Sequence, residues 1–319
     1  MDTFEIVRAN LLSPVVLSFA LGVLAQFARS DLKFPEPVYA ALSIYLLFAI
    51  GLKGGVALAQ APFAQVAAAL AAGIALGLAI PLWSFAILVR LGGFGTVDAA
   101  AIAAHYGSVS AVTFIAAMTQ LQAAGLPAED FMPAVLAAME VPAIVVALLL
   151  ARGAGNGGGW RAAMPEVLAG KSIVLLGGGL AIGLAAGPAG YAPVAPFFAA
   201  PFQGVLCLFL LELGLVAGRR MAEFRAVGAF LAVFAVAMPL AHGALGTWIG
   251  TAIGLGPGGA AVLGILAASA SYIAAPAAVR VALPEANPGY YLTASLAITF
   301  PFNLAVGLPA CIAFARWLA

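Results

Sequence analysis

Two short serine motifs carry the polar side chains best placed for chemistry in this apolar sequence. A helix interrupted at such a motif exposes unpaired backbone N–H groups at the start of its second piece, together with the positive end of a helix dipole. Serine hydroxyls add donors without bulk, so the motifs predict a binding site for a small anion. The candidate substrate-binding residues are Gly107, Ser108, Ser110 and Thr113 in the first motif and Ser269, Ser271 and Tyr272 in the second.

The composition predicts that these motifs lie in a membrane protein. Hydrophobic residues make up 65% of the 319 residues and charged residues only 8%, with a mean hydropathy of +1.13. A soluble protein of this size needs far more charge to cover its surface, so we expect an integral protein of the lipid bilayer. The net charge of +1 gives no indication of a nucleic-acid partner.

An all-helical architecture with ten transmembrane spans is expected. A bilayer core requires about 20 apolar residues per helix, and a membrane barrel would show alternating segments instead. Hydrocarbon also leaves no water to satisfy backbone polar groups, which favours helices. The predicted spans are residues 11–27, 38–58, 63–89, 99–120, 131–151, 172–186, 197–217, 227–253, 258–281 and 290–318.

Lysine and arginine residues set the predicted orientation of these spans. The positive-inside rule places the side with most basic residues in the cytoplasm, and hence both termini on the non-cytoplasmic side of the cell's plasma (inner) membrane. The cytoplasmic side carries Arg29, Lys33, Arg90, Arg152, Arg161, Lys171, Arg219, Arg220, Arg225 and Arg280, and the opposite side carries Arg8, Lys53 and Arg316.

The two serine motifs occupy corresponding places in an internal repeat. Residues 51–55 match residues 214–218, and Pro142 matches Pro301, at nearly the offset that relates the serine motifs. Five spans per half is an odd number, so the second half enters the membrane inverted relative to the first. We therefore predict a first repeat over 1–155, a cytoplasmic linker over 156–170 and an inverted repeat over 171–319, with the broken helices at the midplane.

Three further polar residues are candidates for ion coupling. Glu140 lies beside a proline inside a span, where a charge is costly, so we expect it to pair with Lys53 or to carry a proton. Thr299 and Asn303 lie near Pro301, where we expect unwound chain whose oxygens contribute to a cation site. The structural alternatives are a solvated Glu140 near a helix end and serines that only let helices pack closely.

Neither catalytic residues nor a metal cofactor is predicted. The two histidines are far apart in the sequence and the two cysteines lie on unrelated spans, which gives no cluster of metal ligands. The glycine run at residues 177–179 lies inside an apolar span without a following lysine, so it is not a phosphate-binding loop. The sequence is therefore not expected to be that of an enzyme.

Several stretches of the chain resemble the sodium-dependent bicarbonate transporters best known from cyanobacteria. The similarity covers most of the sequence in order, and it is most specific between residues 267 and 309. The stretches that carry it are residues 241–243, 267–271, 283–288 and 294–301 in the second half and residues 51–55, 107–113 and 140–143 in the first.

This resemblance implies ten helices in two inverted repeats, a core domain and a gate domain, and a homotrimer. It also implies symport of bicarbonate with sodium between the broken helices, and a small PII-like regulatory partner. Ala270, Tyr272 and Ala274 stand where the family has serine, aspartate and serine, and these losses count against sodium coupling. The short connection between the halves lacks the long polar insertion of cyanobacterial members, which counts against the regulatory partner.

The sequence therefore predicts a secondary transporter of a small anion, with bicarbonate as the leading substrate and an elevator-like, alternating-access movement. One alternative is a proton-coupled transporter of another small anion or carboxylate. The other is a membrane scaffold or sensor that keeps the fold but has a degenerate ion site.

Overall fold

The computed structural model describes residue 8 and residues 11–153, 164–165, 168–221 and 224–319. Helices account for 81% of it, and the described residues contain no strand. Most of the predicted linker over 156–170, including Arg161, lies outside the described residues, as do the side chains of Arg152 and Arg225. The all-helical architecture that the sequence predicts is confirmed.

The helices of the described residues are numbered α1 to α14. The last of them, α14, contains two stretches of wider π-helix, at Thr293–Thr299 and Asn303–Gly307. The bounds are α1 Pro14–Phe27, α2 Glu36–Leu58, α3 Phe63–Arg90, α4 Thr96–Gly107, α5 Ala111–Ala123, α6 Met132–Met139, α7 Pro142–Gly153, α8 Lys171–Tyr191, α9 Ala195–Ala199, α10 Phe202–Met221, α11 Phe224–Ala252, α12 Pro257–Ala268, α13 Ala274–Ala282 and α14 Pro288–Leu318.

Eight helical segments of the described residues are long and apolar enough to cross a membrane. The chain is therefore an integral membrane protein, as its composition predicts. Of the two remaining predicted spans, 11–27 contains the shorter apolar helix α1, and 258–281 is divided between the short helices α12 and α13. Three of the eight segments contain adjoining helices: α4 and α5 lie in Thr96–Ala123, α6 and most of α7 lie in Met132–Ala151, and α9 and α10 lie in Ala195–Met221.

Four helices pair along contacts made by glycines. Helix α1 packs along α10, and α2 packs along α8. A Cβ atom added to Gly22 would lie 3.0 Å from the Cα of Gly214, and one added to Gly179 would lie 2.9 Å from the Cα of Gly51. The backbones therefore touch, which requires glycine at these crossings. We name α1, α2, α8 and α10 the paired helices.

The serine motifs lie in a second group of helices, in which the span that carries the first motif is almost completely buried. Helix α3 packs against α4 and α7, and α11 packs against α12 and α14. In the span Thr96–Ala123, 94% of the most apolar stretch is buried, against 17% in α8. A span so shielded can hold polar side chains that lipid would exclude. We name α3, α4, α5, α7, α11, α12 and α14 the inner helices.

Candidate functional site

Both helix breaks that the sequence predicts are present. Helix α4 ends at Gly107 and α5 begins at Ala111, with extended backbone at the residues that flank the gap. Helix α12 ends at Ala268 and α13 begins at Ala274, and here the backbone after the first piece is again extended. Each break leaves the end of one short helix and the start of another inside the protein.

The two breaks are hydrogen-bonded to each other. The backbone N–H of Ser110 donates to Oγ of Ser269 over 3.0 Å. In the opposite direction, the backbone N–H of Ser271 donates to the carbonyl oxygen of His105 over 2.8 Å. All four residues are buried. Because these bonds join segments that are far apart in the sequence, the breaks form one structural unit.

One serine in each break caps the helix that follows. Oγ of Ser110 accepts from the N–H of Thr113 over 3.1 Å, and Oγ of Ser271 accepts from the N–H of Ala275 over 3.1 Å. A hydroxyl has one hydrogen of its own to donate. The Ser110 hydroxyl also interacts with the Tyr272 side chain, and both serine hydroxyls lie at the positive ends of α5 and α13, where an anion could accept from them.

A small cavity of about 10 Å³ lies where the breaks meet. This volume accommodates about one water molecule, so an anion as large as bicarbonate requires the cavity to widen. The walls are both polar and apolar. The polar side chains that line it are Ser110, Glu140, Ser172, Ser271 and Tyr272.

The cavity brings together three of the seven predicted substrate-binding residues, namely Ser110, Ser271 and Tyr272. The other four support the breaks instead. A Cβ on Gly107 would lie 2.7 Å from Cδ of Pro81, so this glycine permits close packing. Oγ of Ser108 donates to the Glu140 carbonyl, Oγ of Ser269 donates to the Leu266 carbonyl, and the Thr113 N–H is used in the α5 cap.

Glu140 lies in the cavity wall and is only 2% exposed. Its Oε2 has no hydrogen-bond partner in the part of the chain that the structure describes. The predicted pairing with Lys53 is wrong, because the Lys53 ammonium lies 3.7 Å from Asp130 instead. Both of those side chains are more than 60% exposed and line a large cleft. The exposed Lys53 ammonium therefore pairs with an exposed carboxylate and not with the buried Glu140.

The predicted unwinding near Pro301 is also wrong. Helix α14 continues through it, with π-helical turns on either side that accommodate the proline. Oγ1 of Thr299 bonds to the Ala235 carbonyl and the Tyr106 hydroxyl, each over 2.7 Å, and Nδ2 of Asn303 donates to the Ala268 carbonyl over 2.8 Å. Thr299 and Asn303 therefore hold α14 in place and do not line the cavity.

Ser172 is the cavity residue that sequence reasoning missed. It is the second residue of α8, it is buried, and it is the one polar contribution of a paired helix to this cavity among the described residues. A serine near the start of an apolar span carries no local signal of function. Only the tertiary packing of α8 brings it to the site.

A much larger cleft, of about 620 Å³, lies between the paired and inner helices. Phe114 and Ile115 of α5 form one wall, and Ile50 and Lys53 of α2 form the opposite wall. Phe114 is three residues from the first residue of α5, so the cleft approaches the first break. In the described residues, no group of three or more His, Cys, Asp or Glu side chains is arranged to hold a metal ion.

Comparison with protein families gives one match. A family model described as the Na+-dependent bicarbonate transporter superfamily matches residues 14–316, nearly the whole chain and both helix breaks. No curated protein matches the chain significantly.

Proposed function

The chain belongs to the Na+-dependent bicarbonate transporter superfamily, and from this we propose that it is a secondary transporter that carries bicarbonate across the membrane. One observation supports this function most directly. Two helix breaks meet inside lipid-shielded spans and direct the hydroxyls of Ser110 and Ser271 toward one polar cavity. Transport of a small anion, and not catalysis, is the use of such a site that we propose.

Bicarbonate binds in this proposal at the small cavity, which has room for about one water molecule and must widen. The hydroxyls of Ser110 and Ser271 donate to its oxygens, and the N-terminal ends of α5 and α13 favour its negative charge. A hydrogen bond to a charged group contributes about 1.5–3 kcal/mol, so two such donors suffice for a transported substrate that must also leave.

The proposed movement is an elevator-like shift of the inner helices along the paired helices. Two features support it: the large cleft reaches the first break from one side of the site, and Ser172 of a paired helix meets the small cavity beside the breaks. A shift of the inner helices relative to the paired helices would close the large cleft and open the small cavity. The substrate would then be exposed to one side of the membrane at a time.

We place the helices in two inverted repeats of five spans. The glycine crossings support this arrangement: a repeat that relates α1 to α8 and α2 to α10 maps one pair of glycine-lined helices onto the other. It therefore exchanges the α1–α10 contact with the α2–α8 contact. Such an exchange is expected of two halves related by a two-fold axis in the membrane plane.

The proposal includes the predicted orientation, with both termini on the non-cytoplasmic side of the plasma (inner) membrane, so that the large cleft opens outward. It also includes the homotrimer that the resemblance implies. Exposed apolar side chains on α1 and α8, such as Leu24 and Ile182, would face lipid or another subunit. A PII-like partner is left out because the connection between the halves is short.

Uptake of labelled bicarbonate into proteoliposomes tests the function, with sodium and proton gradients imposed separately. Sodium is the coupling ion named in the family description, so sodium-stimulated uptake would support the proposal in full. Uptake of a small carboxylate under a proton gradient, without bicarbonate uptake, would support the second candidate, which the unpartnered Glu140 favours. Correctly folded protein without any flux would indicate a scaffold or sensor.

The assignment of the site is tested by Ser110→Ala and Ser271→Ala. Each removes one donor to a charged group, so we expect each to weaken the apparent affinity for bicarbonate by about tenfold or more. Ser43→Ala is the matched control, because Ser43 is a buried serine of α2 that does not line the cavity. Wild-type affinity in both site variants would refute this pocket.

A further inference from the structure

Glu140 is a buried carboxyl that the proposed transport step leaves without a role. It shares the small cavity with the two serine hydroxyls, and its Oε2 has no hydrogen-bond partner among the described residues. A carboxyl so placed shares the cavity with any anion that enters between the breaks. Its charge therefore affects whether that anion can bind.

No basic side chain among the described residues lines this cavity, and Tyr272 is the other titratable group that does. The titratable groups on the surrounding helices are paired, hydrogen-bonded or exposed, although Nε2 of the buried His105 has no partner among the described residues. Lys53 pairs with Asp130, His105 bonds to the Ala101 carbonyl, Tyr106 bonds to Thr299, Asp98 accepts from the Asn287 N–H, and Arg90, Lys171 and Arg280 are exposed.

Two negative charges in one small cavity repel each other strongly, because little water is present to screen them. This is the situation of two carboxylates that share a site, where one of them must hold a proton. Ionised Glu140 and a bound anion are therefore incompatible. Protonated Glu140 removes the repulsion and adds an O–H donor beside Ser110 and Ser271.

We propose that the anion occupies this site only when Glu140 is protonated, so that one proton enters and leaves the site with each anion. This inference rests on the proposed function and adds the proton to it, with or without sodium. The proposal fixes the direction of the pH dependence: the apparent affinity for the anion is highest at low pH. Above the pH at which Glu140 loses its proton, affinity falls by about tenfold per pH unit, because each binding event takes up one proton.

The experiment compares wild-type protein with Glu140→Gln in proteoliposomes, using labelled bicarbonate in sodium-free and sodium-containing buffers. Glutamine has nearly the shape of a protonated glutamate and also donates a hydrogen bond. We expect affinity to fall as the pH is raised in wild-type protein but to stay constant in Glu140→Gln. Uptake by the variant should also respond more strongly to an inside-positive membrane potential, because its anion moves without a proton.

Glu212→Gln is the matched control. Glu212 is a buried carboxyl that pairs with Arg219 over 3.4 Å and does not line the cavity, so its substitution should leave the pH profile unchanged. Protein-free liposomes, measured at each pH, correct for the passage of CO2 through the lipid.

The outcomes distinguish this inference from the proposed function. If wild-type protein takes up bicarbonate with an affinity that does not depend on pH, or if Glu140→Gln keeps the wild-type pH dependence, the inference is wrong and transport stands. If wild-type protein takes up no bicarbonate, the proposed function fails, and the inference fails with it. If Glu140→Gln does not fold, the wild-type pH profile alone decides.

Discussion

The first helix break is shorter than the second and contains no tyrosine. Three residues, 108–110, separate α4 from α5, whereas five residues, 269–273, separate α12 from α13. Both contain two serines in the same spacing, and in each the later serine caps the next helix. The second break adds Tyr272, which lines the cavity and packs against Phe300. The serines thus make equivalent caps in the two breaks, and Tyr272 is a large side chain that the second break alone contributes.

The two breaks are also tied to their neighbouring proline-containing helices in opposite directions. In the first, Ser108 of the broken segment donates to the carbonyl of Glu140 over 3.0 Å. In the second, Asn303 of α14 donates to the carbonyl of Ala268, at the end of the broken helix, over 2.8 Å. Two halves can therefore share one architecture while different residue types make the equivalent link.

The same contrast holds for the residues two positions before the matched prolines. Glu140 precedes Pro142, and Thr299 precedes Pro301. Thr299 has both a carbonyl and a hydroxyl partner, whereas Oε2 of Glu140 has none in the described part of the chain. At this position the second half therefore makes hydrogen bonds that the first half lacks. The carboxyl group that lines the cavity comes from the first half.

The largest difference in unfolding free energy is expected when the last helical residue before each break, Gly107 or Ala268, is changed in size. Gly107→Ala places a methyl group 2.7 Å from Cδ of Pro81 and 2.8 Å from Cβ of Ala143, so we expect a loss of about 1–3 kcal/mol in unfolding free energy. Ala268→Gly, at the corresponding place, should cost at most about 1 kcal/mol. Denaturant unfolding in detergent measures both, and equal losses would show that the two breaks are packed alike.

A second comparison removes the links to the proline-containing helices. Asn303→Leu and Ser108→Ala each leave a buried carbonyl without its donor, so we expect each to lower the unfolding free energy by about 1–3 kcal/mol. Ser295→Ala is the control, because Ser295 bonds to the Tyr291 carbonyl within its own helix, and it should cost less than either. If only one of the two links matters, the breaks are not held in equivalent ways.

Sequence reasoning predicted the elements of this fold better than their contacts. The membrane helices follow from hydropathy, and the breaks follow from paired motifs at Ser108 and Ser269, because both are local features of the chain. The unwinding near Pro301 was wrong because a proline signals a missing N–H but not the π-helical turns that absorb it. Whether π-helical turns form around a proline depends on the packing of neighbouring helices.

In the candidate site, too, the sequence predicts the residues within the breaks better than those that tertiary packing brings there. Ser110, Ser271 and Tyr272 reach the cavity because they sit in the breaks, whereas Ser172 reaches it through the packing of α8. The predicted Lys53–Glu140 pair was wrong because it required two spans to meet at one depth in the membrane. The sequence does not specify that depth. Whether a motif serine lines a cavity or supports a helix end is decided by tertiary hydrogen bonds, as Ser269 shows.

The smallest predicted effect concerns the side chain that distinguishes the second break. Tyr272→Phe keeps the ring, which packs edge-on against Phe300 with centroids 5.4 Å apart, and removes the hydroxyl from the cavity wall. If that hydroxyl donates to the anion, the apparent affinity for bicarbonate should fall by about three- to tenfold, while the unfolding free energy changes little. Uptake assays and denaturant unfolding on the same preparation measure both quantities. Unchanged affinity would make Tyr272 a packing residue, whereas tighter binding would mean that its hydroxyl restricts the cavity and that the first break supplies most of the anion site.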